Sequence, residues 1–135
     1  MVEKAWDRVD DAKTRIENLS VEEVTAEIER GDAVLVDIRD IRELIREGKI
    51  PGAVHAPRGM LEFWIDPASE YYRSVFEPGK RYILYCAGGG RSALAADVMR
   101  EMGYADVAHL EPGMTGWKEA GAPVEAVEPP EKWRR

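Results

Sequence analysis

One cysteine stands in this chain, Cys86, and it is followed by Ala87, Gly88, Gly89, Gly90, Arg91 and Ser92. An apolar run, Tyr82 to Tyr85, leads into it and reads as a buried strand; a helical pattern, Ala93 to Met102, leads away and stops at Gly103. A thiol therefore sits at the C-terminal end of a strand, beside a glycine-rich loop that opens a helix. Backbone N–H groups of such a loop can converge on one anion, and the helix dipole adds positive potential at the same place. Both effects favour a thiolate over a thiol. The chemistry indicated is nucleophilic, with Cys86 as the reacting atom's carrier and Ala87 to Ser92 as its substrate-binding cradle. Three glycines remove side chains that would block the approach and allow positive φ. Arg91 supplies a fixed positive charge, braces the loop, or does both.

The elements that must position this loop are legible around it. Residues 3–18 place Trp6, Val9, Ala12, Ile16 and Leu19 at helical steps, predicting an amphipathic helix. It either packs on the domain or acts as a docking or dimerisation arm, so a monomer and a homodimer are both compatible. Ser20 with Glu23 forms a capping box that starts a helix over Val21 to Glu29, ended by Gly31. Ala33 to Ile38 is a β-branched apolar run, hence a strand covered on both faces. Arg39 to Glu47 reads as a charged helix, Ala53 to His55 as a short strand, and Arg58–Ile65 and Pro67–Phe76 as helical or turn-like. A strand over Val107 to Leu110 and a helix up to Ala120 follow, then an extended, partly mobile tail from Pro123. Strands alternate with helices, and the connections are too long for hairpins. This predicts an α/β domain with a mostly parallel sheet, whose ligands bind beyond the strands' carboxyl ends, where Cys86 lies. The expected division is a helix in 1–18, one domain over 19–126 and a tail over 127–135.

Composition narrows the partners. The chain has 135 residues, 44% hydrophobic and 33% charged, which suits one soluble domain. A net charge of −7 leaves no basic stripe for nucleic acid. No apolar run approaches the roughly 20 residues of a membrane span, and the first residues lack a signal-peptide pattern. A lone cysteine cannot form an internal disulfide and suits a reducing cytoplasm. His55 and His109 have no metal-ligand spacing to each other or to Cys86, so structural roles are expected for both. No spacing asks for a metal or an organic cofactor.

With these residues in view, the chain resembles the rhodanese-like sulfurtransferases in their single-domain form, over roughly residues 18–125. Val34-Leu-Val-Asp37-Ile-Arg39 resembles the family's Asp-x-Arg segment, and Gly48-Lys-Ile-Pro-Gly-Ala53 its Gly-His-Ile-Pro-Gly-Ala signature, with Lys49 where His is usual. Cys86 to Arg91 is similar to the active-site loop. Glu111-Pro-Gly-Met-Thr-Gly-Trp117 through Gly121-Ala-Pro-Val124 resembles the closing stretch, with Pro112 where Gly is usual. The resemblance implies a mostly parallel five-stranded sheet with helices on both faces, here with an extra N-terminal helix. It implies that Cys86 carries sulfane sulfur as a persulfide. The donor would be thiosulfate or another persulfide, and the acceptor cyanide or a small or protein thiol. Asp37 and Arg39 are expected to support the loop rather than act as acid and anion site, and Trp117 to pack in the core; Arg58, after the His55 strand, either lines the pocket and binds an anionic donor or is a solvated charge.

Two other classes compete. Phosphatases and arsenate reductases use a thiolate loop ending in arginine, with five residues between the two; here four separate Cys86 from Arg91. The smaller cradle fits one sulfur atom better than a phosphoryl group, and no general acid is assignable for a leaving oxygen. A persulfide relay or regulatory binding module with little turnover is the third reading. The loop interior, Ala-Gly-Gly-Gly, is uncharged, which predicts weak use of dianionic thiosulfate.

Overall fold

The structure, a computed structural model, describes residues 1–134. Its elements run α1 (Ala5–Lys13), β1 (Glu17–Leu19), α2 (Val21–Arg30), β2 (Ala33–Asp37), α3 (Ile41–Glu47), β3 (Val54–His55), α4 (Leu61–Ile65), β4 (Arg81–Tyr85), α5 (Gly90–Glu101), β5 (Val107–Leu110) and α6 (Gly113–Glu119). The five strands form one sheet in the order β1-β5-β4-β2-β3, and every pairing is parallel. This is the helix-flanked parallel sheet that the alternation predicts.

β4 is central, and Tyr82 through Tyr85 are fully buried. Successive strand residues face opposite ways, so each side of β4 needs its own apolar cover. Tyr82, Leu84 and Cys86 face Ala95, Ala96 and Met99 of α5 with Leu61 and Ile65 of α4. Ile83 and Tyr85 face Val24 of α2 with Met114 and Trp117 of α6. A large buried apolar side chain is worth about 1.5–3 kcal/mol, and the two layers together clamp the strand that ends in the thiol.

Local signals set the helix ends. Both reciprocal bonds of the Ser20/Glu23 capping box form, and Gly31 closes α2 with φ +76°. Asp40 and Glu43 make a second capping box at α3. The helical pattern of residues 3–18 is realised only to Lys13. Thr14 turns the chain, its hydroxyl donating to Asp11 O at 2.6 Å, and Glu17–Leu19 becomes an edge strand on β5. A three-residue strand has too few alternations to show against a helical period, and its partner lies some 90 residues away. The stretch 67–76 contains turns and no helix. The tail after Pro123 is extended only as far as Pro130 and closes in a 3-10 turn over Glu131–Trp133; it is pinned where Glu125 and Lys49 exchange backbone bonds of 2.8 and 2.9 Å.

At the far end of the sheet from Cys86, Arg81 starts β4 with its guanidinium on Glu27 of α2 (2.7 Å), Glu17 of β1 (2.8 Å) and Asp106 before β5 (2.6 Å). Glu27 is nearly buried, and its bond to Arg81 is the main reason its carboxyl is held below the ordinary range. Arg81→Met leaves that carboxylate unpaired and is expected to cost about 2–4 kcal/mol. Urea unfolding at pH 7 measures it; an unchanged midpoint would show that the cluster contributes nothing net.

Candidate functional site

The thiol is positioned from behind. The carbonyl of Cys86 accepts from Met114 N–H at 2.8 Å and that of Ala87 from Thr115 N–H at 3.0 Å, both in the first turn of α6. Two glycines permit this approach. Gly113 has φ +64°, and a Cβ there would overlap the Ala87 carbonyl; Gly89 has φ +93°, and a Cβ there would overlap the carbonyl of Glu111. The Cys86 loop and the β5–α6 turn are thus pressed backbone to backbone. From the front, Gly89 N–H points at Cys86 Sγ at 3.2 Å, and α5 begins at the next residue, so its unpaired first-turn N–H groups face the same side.

Cys86 is only 1% exposed. Its sulfur is reached through a pocket of about 400 Å³, walled by Gly88, Gly90, Arg91 and Leu94 on one side and by Ala5, Trp6 and Val9 of α1 on the other. The helix that the sequence leaves as packing element or docking arm packs against α5 of its own chain, with Arg15 beyond it bonded to Asp97 at 2.8 and 3.1 Å.

The charged candidates divide. Arg91 is in the pocket wall, yet its two terminal nitrogens are bound to the two oxygens of Glu43, each at 2.9 Å. The pair ties the loop to α3, and Arg91 is the first cause of the lowered Glu43 pKa. Asp37 and Arg39 are buried together, with Arg39 Nη2 at 2.7 Å from Asp37 and 2.7 Å from the Gly48 carbonyl. Arg39 also lies over the Tyr85 ring at 5.7 Å. The structure therefore places this pair beneath the strand end that carries the cysteine. Arg58 is not in the wall of the Cys86 pocket; its guanidinium is engaged by Glu62 at 2.7 Å, one helical turn on.

His109, expected to be merely structural, is joined to the sulfur by a chain of contacts. The side-chain amide of Asn18 donates to the carbonyls of Lys13 and Ile16, which leaves its oxygen to accept from His109 Nε2–H at 2.8 Å. His109 Nδ1 is then the acceptor for the Ser92 hydroxyl at 2.8 Å, and Ser92 Oγ lies 3.6 Å from Cys86 Sγ. Ser92, read from the sequence as an amide donor, also brings its hydroxyl to the site. A polar residue inside the apolar strand Val-Ala-His-Leu was the available signal, because buried polar groups need partners. Trp6 carried no such signal; nothing local says that α1 reaches the loop. Among the described residues, no cluster of His, Cys, Asp and Glu is arranged to hold a metal ion.

Residues 20–120 match the family described as Rhodanese-like domain. The chain belongs to that family. A solved structure from Rhodopseudomonas palustris, a protein of unknown function described as a possible tyrosine phosphatase, superposes with TM-score 0.88 at 46% identity, over 93% of this chain and 96% of that one. The polysulfide-sulfur transferase homodimer of Wolinella succinogenes gives TM-score 0.73 at 30% identity, covering 90% and 87%. A Bacillus subtilis protein named as a candidate sulfur carrier is 30% identical over 103 residues, 76% of this chain and 51% of its own length. The chain spans about half the length of that relative and of a 35% identical uncharacterized protein from Synechocystis. Within the rhodanese-like frame, the two departures have local explanations. Lys49 Nζ donates to Ala53 O at 3.1 Å, within the same turn. Pro112 packs so closely on Gly116 that a Cβ there would overlap its ring.

Burial, the main cause, and Lys13 push the pKa of His109 down to about 4, from an ordinary value of 6.5. The folded state keeps it neutral, whereas the unfolded chain protonates it below pH 6.5. Its contribution to stability is therefore complete above pH 6.5 and lost as pH falls towards 4, about 3 kcal/mol at most. Carboxylates titrate in part of the same window, so His109→Gln is the comparison. The variant's urea midpoint should fall less than the wild type's between pH 7 and pH 4.5; parallel decreases would disprove the assignment.

Proposed function

We propose that this protein is a sulfurtransferase in which Cys86 carries sulfane sulfur as a persulfide. The observation that carries the reading is a single thiol at the floor of a pocket, with Gly89 N–H on its sulfur and the α5 N-terminus beside it. The Cys86 thiolate attacks the outer sulfur of a donor. A new S–S bond forms, the donor's own bond to that sulfur breaks, and the leaving group departs with the electron pair as sulfite or a thiolate. The enzyme persulfide is anionic, and the loop amides and the helix N-terminus stabilise it without moving a proton. A nucleophilic acceptor, cyanide or a thiol, then takes the outer sulfur and returns Cys86 to thiolate. Buried Asp37 and Arg39 hold the strand end in place, and Arg91 braces the loop through Glu43. The sulfur transferase and sulfur carrier names among the relatives support this reading.

The phosphatase description of the Rhodopseudomonas palustris protein raises the competing reaction. Here four residues separate Cys86 from Arg91, and the Arg91 fork is occupied by a carboxylate rather than open to phosphate oxygens. The same pairing leaves the pocket without an uncompensated cation, so thiosulfate is a poor donor for this site.

Intact mass spectrometry after incubation with a sulfane donor should show one added sulfur atom, removable by cyanide and absent from Cys86→Ser. Persistence of the adduct in that variant, or hydrolysis of an aryl phosphate by the wild type, contradicts the reading. Glu43→Gln keeps a capping oxygen for α3 while releasing the Arg91 charge. It is expected to raise kcat/KM for thiosulfate about 3–10-fold at low ionic strength, with the gain shrinking in salt; no gain would show that Arg91 is not restrained electrostatically.

A further inference from the structure

Trp6 is 66% exposed, an expensive place for an indole whose helix is already anchored by buried Val9 and Ala12. Its ring lies against Gly90, the first residue of α5: a Cβ on that glycine would stand 2.9 Å from Cη2 and 3.0 Å from Cζ3 of the indole. Gly90, unlike Gly89, does not have positive φ. Its lack of a side chain serves the close approach of Trp6, not a special backbone shape. The indole is thus fitted to the rim of the pocket whose floor is Cys86 Sγ, and Val9 and Leu94 continue the apolar wall.

We propose that this pocket is a binding subsite for the apolar organic group of the sulfur donor, with Trp6 as its specificity-determining wall. The inference rests on the sulfurtransferase reading of Cys86. Whatever delivers sulfur must enter here, because the reacting atom is 1% exposed and opens into this space. A volume of about 400 Å³ falls in the range of organic-ligand pockets, roughly 300–1,000 Å³, and exceeds the need of one small oxyanion. Among the described residues, the only charged one in the wall, Arg91, is neutralised by Glu43. An inorganic dianion would be desolvated there without compensation, whereas an aryl or branched alkyl group would gain by leaving water. The donor class is an organic persulfide or thiosulfonate. For the former, Cys86–S⁻ attacks the outer sulfur of R–S–S⁻, the donor's S–S bond breaks, and R–S⁻ leaves with its electron pair, so charge and atoms balance. For the latter the leaving group is the sulfinate R–SO₂⁻. A slender donor suits a recessed sulfur better than a folded protein surface does.

The test compares three anions that each carry one transferable sulfur: thiosulfate, methanethiosulfonate and benzenethiosulfonate. Wild type should form the Cys86 persulfide with kcat/KM about tenfold or more higher for the benzene than for the methane compound. Trp6→Ala should bring that ratio towards one, and Trp6→Phe should retain most of it. Gly90→Ala, which displaces the indole, should lower it as Trp6→Ala does. Benzenethiosulfonate should also bind Cys86→Ser, where no transfer occurs, more tightly than thiosulfate does. Equal efficiency with all three donors, and equal binding to Cys86→Ser, overturns the subsite. Absence of persulfide with every donor overturns the sulfur-transfer reading instead, and the Cys86→Ser binding then decides the subsite alone. If Trp6→Ala left the small donors untouched and slowed only transfer from a persulfidated carrier protein, the occupant would be a protein loop and the proposal would fall.

Discussion

The structure depends on one close approach, that of the Cys86 loop to the turn between β5 and α6. Two carbonyls of the loop, those of Cys86 and Ala87, are taken by N–H groups of α6. With its carbonyls held on that side, the loop turns its own amides the other way, and Gly89 N–H reaches the sulfur. The geometry tolerates no side chain at Gly89 or Gly113. Strand β5, the Pro112 turn and α6 therefore act on the site through their backbone. Burial of Met114 and Trp117 against Ile83 and Tyr85 fixes α6 to the sheet, and so fixes the loop.

Charge is arranged around the site so that little of it is free. Arg39 is cancelled by Asp37 and Arg91 by Glu43, both in forked pairs. What remains at the sulfur is the field of oriented amides and of the α5 N-terminus, which a single anionic sulfur can use and a dianion with several oxygens uses less well. Behind the sulfur, Ser92, His109 and Asn18 satisfy one another, and the last of these belongs to β1 at the sheet edge. The segment from α1 to β1 thus contributes twice, by walling the pocket with Trp6 and by orienting the buried imidazole through Asn18.

Much of the fold was legible locally. The β-branched apolar run at 33–38, the short strand pattern at 107–110, the capping box at Ser20, and glycine or Pro-Gly stops between them marked strands and helices within a few residues of where they form. The candidate nucleophile was legible too, because a lone thiol between an apolar strand and a run of three glycines has few other uses. Less visible were β1, too short to reveal a period, and the side-chain partners of Arg91, Arg58 and His109.

The sequence by itself determined the alternation of strands and capped helices, the position of Cys86 at a strand's end and the uncharged interior of its loop. Those features rest on backbone propensities and apolar spacing, which act over a few residues. Tertiary structure alone decided that Arg91 spends its charge on Glu43, that Ser92 turns its hydroxyl to His109, and that Trp6 stands over Gly90. These contacts join residues 17 to 84 positions apart. No local pattern specifies them, because each exists only once the sheet order has brought α1, α3 and β5 around one loop.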